Sequence, residues 1–209
     1  MNRFIYSLML YFSVPFAILR LLLRDTHDSS WKRKLKNQLG IVQKISGQVI
    51  WIHCVSVGEF NASKPLIDKL FIQYSDHQIV VSTTTITGSI AVNKHYKSKV
   101  IHCFFPFDIP LIINSYVNKI NPEICILLET EIWPNLIQSL KKKSIPVVLI
   151  NARLSEKSFH RYDKYSSNLV KASLNNLNLI CAQNTSSADR FISLGANQEK
   201  IITTGSLKF

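Results

Sequence analysis

Carboxylates stand at two places in this chain where a reaction would need them. Glu59 ends the stretch Trp51-Ile52-His53-Cys54-Val55-Ser56-Val57-Gly58-Glu59, and Glu129 and Glu131 follow the run Ile124-Cys125-Ile126-Leu127-Leu128. A carboxylate within hydrogen-bond reach of a hydroxyl can act as a general base. A cation beside it, Arg153 or Lys208, can hold a phosphate or carboxylate, arginine through a bidentate grip. Each residue also has an ordinary structural role. Ser56 and Glu59 match the S-x-x-E capping box, and a glutamate in a first helical turn suits the helix dipole. Glu131 suits a first turn equally well, and Arg153 and Lys208 fit surface charges. Spacing alone favours the cap for Glu59, so the elements around it must decide.

Val49, Ile50, Trp51, Ile52 and Val55 form an apolar run of strand length, and Pro65, Leu66, Ile67 and Leu70 then take up a helical period. The same succession of short β-rich run, polar turn and amphipathic helix recurs from Ile79, Val100, Ile124, Val147, Leu177 and Ile201. Alternating strands and helices predict an α/β domain: a Rossmann-like, doubly wound, mostly parallel sheet covered on both faces. Polar residues fall just past the strands' carboxyl ends at Glu59, Thr84, Glu129, Arg153 and Lys208, where open α/β sheets bind ligands. No G-x-G-x-x-G and no G-x-x-x-x-G-K-[ST] follows any strand, which counts against dinucleotide and NTPase chemistry.

Lysine and arginine number 25 against 13 acidic residues in 209, a net charge of +12. That excess favours an anionic partner: nucleic acid, a phosphorylated ligand or an anionic membrane face. No nucleic-acid-reading motif is present, so charge does not select nucleic acid. Cys54, Cys103, Cys125 and Cys181 lie in apolar runs without a C-x-x-C pair and read as buried, reduced thiols of a cytoplasmic protein. His53-Cys54 and His102-Cys103 are strand neighbours whose side chains face opposite ways, a poor arrangement for one metal ion. No Ser-His-Asp arrangement is identifiable.

Phe4 to Leu23 is nearly all apolar and long enough to span a hydrocarbon layer of about 30 Å. Pro15 and Arg20 interrupt it, so a spanning helix and a helix lying in the interface both remain open. Arg20, Arg24, Lys32, Arg33, Lys34 and Lys36 follow or flank it, against Asp25 and Asp28. Such a cluster places that side in the cytoplasm and favours anionic headgroups. The expected organisation is a membrane anchor helix over 1–24, a basic membrane-proximal helix over 25–47, and the Rossmann-like domain over 48–209.

Seven stretches in order carry a resemblance: HCVSVGE, STTTITGS, FPFDIP, LLETEIWPN, NARLS, AQNTSSADRFISLGA and TGSLKF. Together they resemble the amino-terminal half of the 3-deoxy-D-manno-octulosonic acid (Kdo) transferases, GT-B glycosyltransferases of lipopolysaccharide synthesis. The resemblance implies a two-domain enzyme at the cytoplasmic face of a bacterial inner membrane. The first domain would take the lipid A precursor (lipid IVA), and the second would hold CMP-Kdo. It further implies Glu59 as general base, with Glu129 and Lys208 stabilising the transition state. Ser56, Gly58, Thr84, Glu131 and Arg153 are the expected acceptor-binding residues. No metal or other cofactor is implied. The chain stops at Phe209, about where the family passes to its second domain, so the expectation is an acceptor half that transfers nothing alone. The alternative is a non-catalytic membrane module that binds an anionic lipid.

Overall fold

A computed structural model describes residues 1–22 and 30–207, with the side chains of residues 20–22 outside the description. Arg24, Asp25, Asp28 and Lys208, and the side chain of Arg20, therefore lie outside it. Seven parallel strands form one sheet in the order β3-β2-β1-β4-β5-β6-β7. They are β1 (Val49–His53), β2 (Gln78–Thr83), β3 (Ile101–Phe104), β4 (Ile124–Leu128), β5 (Val147–Ala152), β6 (Leu179–Ala182) and β7 (Ile201–Thr203). All seven runs expected as strands are strands. The central strands β1 and β4 are buried on both faces, which is why they read as continuous rather than alternating hydrophobicity, whereas the edge strand β7 is partly exposed.

Successive residues of β1 serve opposite cores, as the two-residue strand period requires. Val49 and Trp51 point to one face, with α5 (Pro110–Ile120), α6 (Pro134–Lys142), α7 (Glu156–Asn175) and α8 (Thr185–Ser193) packed over it. Ile50 and Ile52 point to the other, under α3 (Val57–Gln73) and α4 (Ile86–Tyr96). Trp51 is fully buried and donates its indole N–H to Ser82 Oγ at 2.8 Å. The cysteines are free thiols; three are buried and Cys181 is partly so.

Two further helices precede the sheet: α1 (Arg3–Leu22) and α2 (Ser30–Gln38). The basic helix expected over 25–47 ends, within the described residues, at Gln38. The cause is Gly40, at φ +76°, where a Cβ would sit 2.9 Å from the Ile112 carbonyl oxygen. The chain is forced into a left-handed residue pressed against α5, and no helix continues through that. Among the described residues no helix is long and apolar enough to cross a membrane. Instead α1 lies along the domain, burying Ser7 and Val14, while Phe4, Met9, Phe12 and Phe16 stay exposed on its outer side.

One buried carboxylate fastens α1 to the sheet. Asp108, 2% exposed, accepts from the Tyr6 hydroxyl at 3.0 Å, the Asn135 amide at 3.0 Å and the Leu136 amide at 2.8 Å. The last two are orphan donors of the first turn of α6, where a carboxylate is doubly favoured. Asn135 Oδ1 in turn accepts from Ser7 Oγ at 3.1 Å and Arg3 at 3.3 Å. Asp108→Ala leaves two buried backbone amides and the half-buried Tyr6 hydroxyl without their acceptor. Urea unfolding is expected to show a loss of about 3 kcal/mol or more, against about 1 kcal/mol for Tyr6→Phe. Equal small losses in both variants would show that Asp108 does not hold the junction.

Candidate active site at the β1–β4 switch point

The strand order reverses at β1: the chain leaves it toward β2 and β3, then returns to its other side as β4. Helices α3 and α6 consequently rise on opposite faces, and their leading turns flank a crevice at the carboxyl ends of β1 and β4. His53 stands opposite Leu127 in the β1–β4 register, so the two carboxylate-bearing turns begin side by side.

Glu59 lies in the first turn of α3 and is only 7% exposed. Its Oε2 accepts from the Val55 amide at 2.7 Å, and Oε1 accepts from Ser56 Oγ at 3.4 Å. This is not the reciprocal capping box the spacing suggests. Ser56 occupies the N-cap in extended conformation yet makes no side-chain cap bond. The glutamate reaches one residue further back than the box requires, and the serine is turned onto it. Gly58 is exposed beside this carboxylate. Thr84 spends its hydroxyl on the Val55 carbonyl at 3.0 Å, tying the turn after β2 to the one that holds Glu59.

Across the crevice, Glu129 adopts φ +56°, an uncommon conformation for a residue with a side chain and one that concentrates at functional sites. Its amide donates to the Ile150 carbonyl at 3.0 Å, and Thr130 Oγ1 hydrogen-bonds the Arg153 carbonyl. Glu131 turns inward, where its Oε2 accepts the Trp133 indole N–H at 2.8 Å. Burial pushes the Glu131 carboxyl up to about 7, helped by the charges of Glu59 and then Glu129, against the Trp133 hydrogen bond. The three carboxylates thus share one electrostatic environment, and Glu131 retains much of its proton at neutral pH.

His53, the last residue of β1, completes the floor. It is fully buried, with Nδ1 at 3.0 Å from Ser82 Oγ and its ring stacked 3.9 Å from Phe105. Nε2 has no hydrogen-bond partner among the described residues and lies 3.9 Å from Glu131 Oε2. Burial pushes this imidazole down to about 3, so it is neutral and the approach is not an ion pair. Trp133 packs 4.8 Å from Phe105, giving the crevice an aromatic wall. Spacing did not disclose His53; its place at the end of the switch-point strand was the available signal.

Of the expected residues, Ser56, Gly58, Glu59 and Thr84 form one side of the crevice, and Glu129 and Glu131 the other. Arg153 sits past the end of β5 with an exposed side chain, and among the described residues its tie to the site is its backbone carbonyl, which accepts from Thr130 Oγ1. Asn151, 1% exposed at φ +51°, accepts from Gln183 Nε2 at 2.8 Å and from the Leu207 amide at 3.0 Å. It thereby holds the segment that leads to Lys208 at the same sheet edge.

The raised Glu131 carboxyl has a measurable consequence. In the unfolded chain it ionises near 4.5, and in the fold near 7. The fold therefore binds this proton more tightly, and the stability Glu131 permits at low pH is lost as pH rises through 7. Glu131→Gln, neutral throughout and still able to accept from Trp133, is expected to stabilise the chain by about 1–3 kcal/mol near pH 8 and scarcely near pH 4.5. Urea unfolding at both pH values checks it. An equal change at both would mean Glu131 keeps its ordinary ionisation.

A family model described as 3-deoxy-D-manno-octulosonic-acid transferase (kdotransferase) matches residues 30–209. The 3-deoxy-D-manno-octulosonic acid transferase of Haemophilus influenzae is 36% identical over 212 residues, covering 100% of this chain and 49% of that protein. A bifunctional glycosyltransferase/methyltransferase of Fusobacterium nucleatum is 39% identical over 164 residues, covering 78% of this chain and 25% of that one. The chain thus spans about half the length of the Haemophilus relative. Among solved structures, UDP-GlcNAc 2-epimerase from Neisseria meningitidis superposes with a TM-score of 0.55 at 14% identity, over 77% of this chain and 47% of that one. At such low identity this likeness speaks to the fold, a Rossmann-like half of the GT-B type. The chain belongs to the 3-deoxy-D-manno-octulosonic acid transferase family.

Proposed function

We propose that this chain is the acceptor-binding, base-bearing half of a Kdo transferase, acting on lipid A precursor with CMP-Kdo as donor. The observation that carries the reading is the Glu59 carboxylate, oriented by Val55 and Ser56 in the crevice where β1 and β4 diverge. A sugar hydroxyl is a poor nucleophile. Glu59 takes its proton as the oxygen bonds to the anomeric carbon of Kdo, and the bond electrons leave with CMP. Glu131, keeping about half its proton near neutral pH and hydrogen-bonded to Trp133, presents a polar group to the acceptor without adding a full negative charge beside Glu59. By the resemblance, Glu129 and Lys208 stabilise the charge that develops on the donor.

Under this reading the enzyme works at the cytoplasmic face of a bacterial inner membrane. The exposed Phe4, Met9, Phe12 and Phe16 of α1 present large apolar side chains to the outside, and Lys32, Arg33 and Lys36 follow on α2. That combination suits a helix lying in the interface, with basic residues on anionic headgroups.

Joined to a donor-binding domain of the family, the Glu59→Gln variant is expected to lose about 10²–10⁴ in transfer rate while keeping its fold and acceptor binding. A glutamine can still accept from the Val55 amide through its side-chain oxygen. A fully active Glu59→Gln enzyme would therefore return Glu59 to a structural role.

A further inference from the structure

A second cavity, at the β3 edge of the sheet and apart from the β1–β4 crevice, is built for an anion. Open on one side, it offers about 790 Å³ between α2, the segment 41–46 and β3, the strand at the sheet's edge. Arg33, Lys36 and Lys44 line it, together with neutral polar groups such as Gln43 and Gln78, and no carboxylate lines it among the described residues. In a chain with 13 acidic residues that separation of charge is local and one-sided.

The arginine is held rather than loose. Arg33 Nη2 donates to Ser89 Oγ at 2.9 Å and approaches His102 Nδ1 at 3.3 Å, with the guanidinium carbon 5.4 Å from the centre of the Phe104 ring. His102 Nε2 lies 3.0 Å from Thr83 Oγ1, whose own hydroxyl donates to the Thr85 carbonyl at 3.2 Å. That hydroxyl can then only accept from the imidazole, so Nε2 carries the proton and Nδ1 is the acceptor facing Arg33. Burial, and then the Arg33 charge, push His102 down to about 3, which keeps it in this neutral, accepting form. Both of these polar contacts use Nη2. The rest of the guanidinium fork remains to meet a ligand, and a planar fork matches a phosphate in a way an ammonium does not. The edge strand beside it is stiffened as well, since the Phe104 amide donates to Asn37 Oδ1 at 2.9 Å.

We propose that this cavity is a binding site for a phosphate monoester carried on a sugar-sized group, gripped by Arg33 with Lys36 and Lys44 supplying further charge. The volume decides the size: it falls in the range of small-molecule sites of about 300–1,000 Å³ and far exceeds what a bare phosphate fills. The site stands apart from the carboxylate crevice, so it holds whether or not Glu59 is the base.

The test uses the chain itself, with calorimetric titration of inorganic phosphate and of glucosamine 1-phosphate. Saturable one-site binding is expected, tighter for the sugar ester, together with a shift of the His102 imidazole nitrogen signals. Arg33→Lys keeps the charge and loses the fork; it is expected to weaken binding by about tenfold or more. Lys141→Ala, which removes one surface charge elsewhere, should leave binding unchanged. A parallel arm measures sedimentation with phosphatidylcholine vesicles with and without phosphatidic acid. Weakening by Arg33→Lys in both arms identifies the ligand as a lipid headgroup, and weakening with the soluble ester alone identifies a free sugar phosphate. If Arg33→Lys behaves as the parent chain in both arms, the cavity is an ordinary basic surface and the proposal fails.

Discussion

The pairing of β1 with β4 is the constraint from which the rest of this structure follows. Because β1 also pairs with β2, it is a central strand buried on both faces, and the chain can only return to its free side through the crossovers that form β2 and β3. Parallel strands need such crossovers, and right-handed ones put successive helices on opposite faces once the direction reverses. The gap that results is lined by whatever follows β1 and β4 in the sequence. Here those residues are Glu59 on one side, and Glu129 and Glu131 on the other. No side chain had to be carried far to assemble them.

Desolvation then sets the charge of what the topology collected. It is the largest cause of the displaced ionisation of His53, down to about 3, and of Glu131 and Asp108, both up to about 7. The crevice at neutral pH consequently holds a neutral imidazole and a carboxyl that keeps much of its proton, beside the oriented Glu59. The same physics joins the amino-terminal helix to the site. Asp108 bonds α1 through Tyr6 and α6 through the Asn135 and Leu136 amides. Glu129 to Trp133 lead directly into that first turn of α6. The element that faces outward with its apolar stripe and the loop that carries two of the carboxylates therefore rest on one buried group.

Much of this was legible in advance, for identifiable reasons. Central parallel strands buried on both faces leave apolar runs such as those of β1, β4 and β5, which is why they were recognisable, and polar residues after such runs mark the carboxyl edge where ligands bind. What escaped notice depends on contacts distant in sequence. His53 read as one more strand residue because nothing local says its ring will face Glu131. Asp108, inside the stretch FPFDIP, has no local sign of its role because its partners lie at residues 6, 135 and 136. The S-x-x-E spacing around Glu59 suggested a cap, yet Ser56 gives its hydroxyl to the carboxylate, and Val55 makes the backbone contact. The basic helix stops at Gln38, short of residue 47, because of where Gly40 lies in the fold. Its collision course with Ile112 exists only once α5 is in place.

The central claim is that an acceptor sugar docks against Glu59 at the β1–β4 crevice. The most direct measurement is an NMR titration of the chain with the deacylated acceptor disaccharide. The Val55 amide reports the Glu59 carboxylate it bonds, and the Trp133 indole N–H reports Glu131. Both signals are predicted to move together along one saturation curve. If they stay in place while the disaccharide saturates the chain elsewhere, the crevice is not the acceptor site.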